Sequence, residues 1–461
     1  MLRLAGPLNR YPARVTSAGF AVLILIGTAA LLSPGVIQEA KRPLSVIDSL
    51  FMTTSAVCVT GLSVRSLASD FTAYGQFLIL LMVQIGGLGI MTLTTFVLLA
   101  SGVRGGLRHH LLISATVAGE TRLEVWTILT RVFLATLLTE AIGCVVLFLR
   151  FSSLPEMGFA AAAWNAVFLA VSAYCNAGFA LDDRSLIPYQ NDPFILGTIS
   201  ALIVTGGIGY PVLFDLGAAF RRSRWRFWDD LHMHSKMMLL GSAALLVGGF
   251  ATILLLEWNN DAFVGEPVGG RLAIAAFQSV TTRTAGFNSV DLTRLGNATI
   301  LVIMMLMFVG GGACSTAGGV KVTTMYMLLA HAYSRFRGRQ NVSVFRRTIP
   351  QVAIDRAMAT LVLSVAIAVF ACVLLLSTEQ LDHSHRPERL EFLQTIFHVV
   401  SALGTVGLAI SDTGALTAGS KLGLVILMFV GRLGPISFFS ALATLPAKGG
   451  LQYAPEEPIT G

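Results

Sequence analysis

Four segments of the chain share one arrangement of small, polar and glycine residues. They are Val59-Thr60-Gly61-Leu62, Asn176-Ala177-Gly178-Phe179, Thr284-Ala285-Gly286-Phe287 and Thr405-Val406-Gly407-Leu408. The chemistry they offer is that of the backbone. A cation leaving water needs replacement oxygens, and inward-aimed carbonyls supply them as dipoles without fixed charge. Glycine permits the unusual φ/ψ such a turn needs and lets the backbone approach the ion. On this reading Gly61, Gly178, Gly286 and Gly407 are central to four walls of one selectivity filter. Thr60, Ala177, Ala285 and Val406 point carbonyls at the ion, and Val59, Asn176, Thr284 and Thr405 complete the ion-binding set.

The elements that must position these turns form a repeated unit: long apolar helix, short helix, glycine turn, long apolar helix, four times over. The spacing predicts spans near 15–33 and 76–100, 124–150 and 193–220, 237–257 and 298–330, and 353–377 and 421–445. The short helices are predicted near 46–57, 161–175, 270–282 and 389–402. At roughly ten to fifteen residues these are too short to cross a bilayer and suit re-entrant segments. Non-helical backbone at membrane depth is tolerated only where it is buried in protein or lines a watery cavity. Four such turns therefore imply one shared cavity, and each short helix aims its negative C-terminal end towards it. Four ordinary loops with chance glycines would not repeat the spacing. The expected fold is an all-α polytopic membrane protein of four pseudo-symmetric repeats, with eight spanning helices and four re-entrant pore helices around a central pore. The expected unit limits are 1–101, 102–222, 223–333 and 334–461.

Composition agrees with the class. Of the 461 residues 54% are hydrophobic and 12% charged, about half the charge of a soluble domain, and the mean hydropathy is +0.74. The first apolar run follows Arg3, Arg10 and Arg14 as a signal peptide would, but no convincing small-x-small cleavage site follows, so it reads as a retained helix. The five cysteines form no CxxC pair and suggest neither a zinc site nor a disulfide framework. The net charge of +7 reads as positive-inside bias, not a nucleic-acid surface. Arg221, Arg222, Arg226, Arg335, Arg337 and Arg339 fall on one side, and Asp70, Asp182, Asp183 and Glu379 on the other. The basic side, with both termini, is expected in the cytoplasm.

The run Gly310, Gly311, Gly312, Ala313, Cys314, Ser315, Thr316, Ala317, Gly318 and Gly319 interrupts the second span of the third unit. Each glycine costs a helix interior about 1 kcal/mol relative to alanine. The run suits a loop crossing the cavity below the filter; the alternative is a small-residue helix-packing face. Arg432 lies inside the last apolar span, where an arginine usually faces a cavity or an acidic partner. The alternative to a cavity-facing barrier is an ion pair, and Glu140 is the other clear mid-span charge. Lys321 is open between snorkelling to the cytoplasm and pairing with a partner subunit. Trp164 and Tyr174 read as interfacial anchors, and His109, His110, His232 and His234 as loop residues in preference to a metal site.

Five stretches carry a resemblance over nearly the whole chain: DSLFMTTSAVCVTGLSV from Asp48, GQFLILLMVQIGGLGIMT from Gly75, TRTAGFNSVD from Thr282, GGGACSTAGGVKVTT from Gly310 and GRLGP from Gly431. The sequence resembles the Trk/Ktr/HKT superfamily of potassium transporters, closest to the KtrB-type membrane subunit. The resemblance implies potassium uptake across the bacterial plasma membrane, with the 310–319 loop as an intramembrane gate and Arg432 facing the pore beside it. It also implies a homodimer resting on a cytosolic KtrA-type ring of regulatory subunits that bind ATP or ADP. No cofactor is expected in the chain itself; potassium is the substrate. Family members that favour sodium often carry serine in place of the first glycine, so Gly61 argues for potassium. A membrane enzyme is disfavoured because no nucleophile–base pair and no HExxH is found. A sodium- or proton-coupled symporter of the same fold is the alternative, although a proton relay would have little beyond Glu140 to use.

Overall fold

The computed structural model describes residues 12–100, 121–155, 157–222, 225–260, 262–382 and 389–442. Arg3, Arg10, His109, His110, the C-terminal tail and the unit limit at 101/102 lie outside the described residues. The first three helices are α1 (Pro12–Leu31), α2 (Val46–Val57) and α3 (Ala73–Ala100). Next come α4 (Thr121–Phe151), α5 (Phe159–Tyr174), α6 (Pro193–Ile208), α7 (Tyr210–Arg222) and the short α8 (Phe227–Asp230). The third set is α9 (Met233–Glu257), α10 (Val268–Thr281), α11 (Asn297–Phe308) and α12 (Val322–Phe336). A two-stranded antiparallel hairpin pairs Ser343–Val344 with Arg347–Thr348. The chain then forms α13 (Gln351–Asp382), α14 (Arg389–Gly404), α15 (Ala418–Leu433) and α16 (Pro435–Leu442).

Local signals set the starts of several helices. The Ser45 side chain accepts from the Asp48 amide at the head of α2. Asp192 accepts from the amides of Phe194 and Ile195 ahead of Pro193, and Thr417 from that of Ser420. Each cap satisfies an amide the first turn leaves without a helical partner. Ends are set by glycine: Gly209 (φ 93°) closes α6 and Gly434 (φ 82°) closes α15.

Among the described residues four helices are long and apolar enough to cross a membrane: α1, α4, α9 and α13. The bent pair α6–α7 makes a fifth if it is counted as one span. Only 17–28% of the spanning windows of those four is buried inside the protein. They expose Leu25, Leu138, Val247 and Val369 outward, a surface matched to hydrocarbon and not to water. The short helices do the reverse. Every residue from Phe51 to Val57 in α2 is buried, polar ones included. The chain is a multi-pass membrane protein with its short helices inside.

Packing runs in a cycle. α3 packs on α5, α6 on α10, α11 on α14 and α15 on α2. The second long element of each unit therefore supports the short helix of the next, and the last supports the first. Where these elements meet the end of a short helix in their own unit, a glycine allows backbone contact. A Cβ on Gly86 would strike the carbonyl of Val57, one on Gly206 that of Tyr174, and one on Gly431 that of Leu403.

The structure corrects several expectations. The span expected over 193–220 is broken at Gly209, where α6 and α7 meet at 97°. In the span expected over 421–445, α15 ends at Leu433 with Gly434 at its cap and α16 starts at Pro435. The helix α12 continues across 333/334 to Phe336. Tyr174 is no interfacial anchor. It is 3% exposed at the inner end of α5, and its hydroxyl accepts from Thr136 at 3.1 Å.

Candidate functional site

The four glycine segments sit at the ends of α2, α5, α10 and α14, and each makes the same backbone excursion. Val59 and Gly61 have φ of 53° and 94°, and Asn176 and Gly178 58° and 70°. Thr284 and Gly286 have 69° and 81°, and Thr405 and Gly407 49° and 96°. The residue between each pair has an ordinary φ. Left-handed backbone is rare outside glycine, and for a β-branched residue such as Val59 it is an outlier. Four copies of it, at about 1–3 kcal/mol each, indicate a conformation the surroundings impose. The alternation turns successive carbonyls to the same side of each segment, which ordinary strand geometry does not.

The segments close on one another. A Cβ on Gly61 would meet the carbonyl oxygen of Ala177, one on Gly178 that of Ala285, one on Gly286 that of Val406, and one on Gly407 that of Thr60. First touches second, second third, third fourth and fourth first. The four glycines and the residues before them, Thr60, Ala177, Ala285 and Val406, are brought together. The side-chain hydroxyls of Thr60, Thr284 and Thr405 are buried there without a hydrogen-bond partner.

Sequence reasoning missed the hydroxyls that hold the ring up. Ser55 Oγ accepts from the Gly61 amide and Ser401 Oγ from the Gly407 amide, both at 3.1 Å. Ser172 Oγ donates to the Phe179 carbonyl at 2.7 Å. Thr281 Oγ1 accepts from the Phe287 amide at 2.8 Å and donates to its carbonyl at 2.7 Å. The signal was present: a serine stands six places before the glycine in three segments. The third segment shifts the role one place along, to Thr281, which hides the pattern.

On one side of the ring a cavity of about 520 Å³ opens, with all four glycines among its lining residues. Its wall carries Asp70, Asp182, Asp183 and Asp412 against Arg65. Burial raises the Asp70 pKa, but hydrogen bonds from Lys41 and Ser69 and the charges of Lys41 and Arg65 outweigh it. Its carboxyl is held below the usual range. Lys41 Nζ lies 3.0 Å from it and Arg65 3.7 Å.

On the other side lies the loop between α11 and α12. The Gly312 amide donates to the Gly207 carbonyl at 2.8 Å and the Thr316 amide to that of Gly206 at 3.2 Å. Thr316 Oγ1 donates to the Tyr174 carbonyl at 3.1 Å. A Cβ on Gly318 would collide with Thr405 Oγ1. The loop thus leaves the third unit and touches the second and fourth directly beneath the ring. Arg432 is 5% exposed. Its guanidinium donates to the Thr316 carbonyl and, at 3.2 Å, to that of Gly86. Arg432 and Glu140 do not meet: Glu140 takes a hydrogen bond from Gln84 at 3.0 Å. Lys321 turns back onto its own loop, Nζ donating to the Ala317 carbonyl at 2.7 Å. His232 pairs with Asp215 at 2.6 Å, as a structural contact.

A ring of glycine turns above a glycine-rich loop is a geometry that known proteins can be compared with. Residues 12–448 match the TrkH family, described as cation transport proteins. The chain belongs to that family. Its members are transporters, and the chain is not an enzyme. The Ktr system potassium uptake protein B of Bacillus subtilis is 35% identical, over 98% of this chain and 97% of its own. The protein of the same name in Vibrio alginolyticus is 35% identical, over 95% of this chain and 92% of its own. The potassium/sodium uptake protein NtpJ of Enterococcus hirae is 34% identical, over 97% and 96%. The potassium transporter TrkH of Vibrio parahaemolyticus has the same fold, with a TM-score of 0.72 at 18% identity over 93% of this chain and 85% of that one.

Proposed function

We propose that this chain is the ion-translocating subunit of a Ktr/Trk-type potassium uptake system in the bacterial plasma membrane. In this reading four repeats, eight spans and four re-entrant pore helices surround one pore, with both termini in the cytoplasm. The glycine ring is the selectivity filter, the acidic cavity its outer mouth, and residues 310–319 with Arg432 the gate. The observation that supports this most is the closed cycle of contacts through Gly61, Gly178, Gly286 and Gly407. Carbonyls held in such a ring replace the water of a dehydrated cation. The carboxylates of the cavity wall raise the local cation concentration.

A homodimer on a KtrA-type cytosolic ring that binds ATP or ADP completes the proposal. The names of the Bacillus and Vibrio relatives, which place each in a Ktr system, favour such a partner. The test is potassium uptake by a transport-deficient bacterium that expresses this chain with and without a regulatory subunit. Uptake that rises with the partner is expected; no potassium uptake in either strain, with the protein in the membrane, would refute the reading. The name of the Enterococcus relative favours one alternative, sodium-coupled symport. It requires that potassium uptake in the same strain stop when sodium is removed.

A further inference from the structure

The position three places before each glycine of the ring is a cysteine in the first two segments, Cys58 and Cys175, and Arg283 and Gly404 in the others. Arg283 donates to Ser242 Oγ at 3.2 Å and to the Gly310 carbonyl at 3.4 Å. The second segment carries another device. Cys175 closes α5 and leads directly into Asn176, Ala177 and Gly178. Its thiol lies 3.6 Å from Gln84 Oε1 and 3.9 Å from Glu140 Oε1, and the Gln84 amide donates to Glu140 Oε2 at 3.0 Å. Gln84 is on α3 and Glu140 on α4. Three helices therefore meet in one polar knot behind the ring.

The knot leaves little freedom. Glu140 is 5% exposed and Cys175 fully buried. A Cβ on Gly87 of α3 would stand 2.7 Å from the Cys175 sulfur, so backbone blocks retreat on that side. One turn before Glu140, Thr136 ties α4 to the Tyr174 hydroxyl at 3.1 Å. Neither Glu140 nor Gln84 lines the cavity above the ring. Among the described residues no carboxylate is hydrogen-bonded to Cys58, Arg283 or Gly404. An acid in an apolar span is costly and is kept for a reason, and here it reaches no ion path.

We propose that Glu140 is a positioning residue for the second wall of the filter. Through Gln84 and the Cys175 thiol it fixes where Asn176, Ala177 and Gly178 stand, and so it sets ion preference without touching the ion. The proposal rests on the potassium reading above. A carbonyl ring discriminates by where its dipoles are held, so one wall released from behind alters selectivity before it alters abundance.

The test is the potassium-to-sodium flux ratio of the full-length protein in vesicles, for wild type, Glu140→Ala, Glu140→Gln, Cys175→Ala and the double alanine variant. The alanine variants are expected to lower the ratio about fivefold, the factor one ordinary hydrogen bond supplies. The double variant should fall no further than Glu140→Ala, because both changes cut one network. Glu140→Gln keeps an acceptor for Gln84 and the thiol, and it should retain the wild-type ratio. An unchanged ratio in both single alanine variants, with only yield or total flux reduced, would overturn the proposal. So would a Glu140→Gln variant as damaged as Glu140→Ala, which would mean that the charge itself matters. If Glu140→Ala fails to accumulate, Cys175→Ala decides alone, since it removes a single sulfur. A wild-type protein without potassium preference refutes the potassium reading and this proposal with it; a selective wild type with unshifted variants refutes this proposal alone.

Discussion

Gly61 shows how much one residue carries. Its φ of 94° is left-handed, and a Cβ there would overlap the Ala177 carbonyl. Gly61→Ser therefore adds strain of about 1–3 kcal/mol at the contact between two walls. Falling on the bound ion, that strain corresponds to a loss of roughly fivefold to a hundredfold in potassium preference. Competitive rubidium and sodium uptake at matched expression measures it; an undiminished preference would remove Gly61 from the filter. Arg432 gives a second test. It carries charge below the ring and also holds the loop through Thr316 and Gly86. Arg432→Ala removes both the charge and the tether, so flux should rise severalfold while selectivity survives. Low yield together with low flux would make Arg432 a structural residue. The ring residues were legible because backbone chemistry leaves a local mark, glycine at a fixed place. The partners of Arg432 were not legible, because backbone carbonyls accept hydrogen bonds whatever their side chains and leave no trace in residue type.

At the scale of elements, the loop between α11 and α12 is the proposed gate. It has no helical ladder and is held by hydrogen bonds to Gly206, Gly207 and Tyr174, by Arg283 and Arg432, and by its own Lys321. Deleting residues 313–317 removes the Thr316 contacts and shortens the loop. The expected result is higher flux and weaker dependence on the regulatory partner, read as uptake in strains with and without it. A folded deletion variant that conducts less than wild type would make the loop a scaffold. The short helices were predicted to within a few residues, since an apolar stretch of that length between glycine turns and long spans admits few readings. The bends at Gly209 and Gly434 escaped. At Gly209 the cause is tertiary, since the loop arrives there and a Cβ would meet the Ala313 carbonyl; at Gly434 it is local, a left-handed glycine followed directly by Pro435, a signal the apolar run around it masked.

The whole molecule has a sidedness that can be read chemically. In the proposed orientation the acidic cavity opens outside, and Arg335, Arg337 and Arg339 lie inside. Ser66→Cys at the cavity wall should react with a membrane-impermeant maleimide on intact cells. Arg339→Cys should react only after the membrane is opened. Both substitutions belong in a variant lacking Cys144 and Cys372, the two native cysteines that are not buried. The opposite labelling would invert the topology.

The cycle that closes the ring also has a meaning in time. Gly407 meets the carbonyl of Thr60, and α15 supports α2, so the first wall leans on a helix made much later than itself. A ribosome working from the N-terminus delivers Val59 long before the helix that holds it. Contacts between such distant positions form late because their loop-closure cost comes first. Until α15 is inserted, the left-handed turn at Val59 has no neighbour on that side and should relax to ordinary backbone. On the proposed reading, a nascent chain that stops short of α15 is a bundle without a filter. If the ring is the filter, as proposed, the membrane is spared a half-built conductor, because ion selectivity is expected only once α15 is in place.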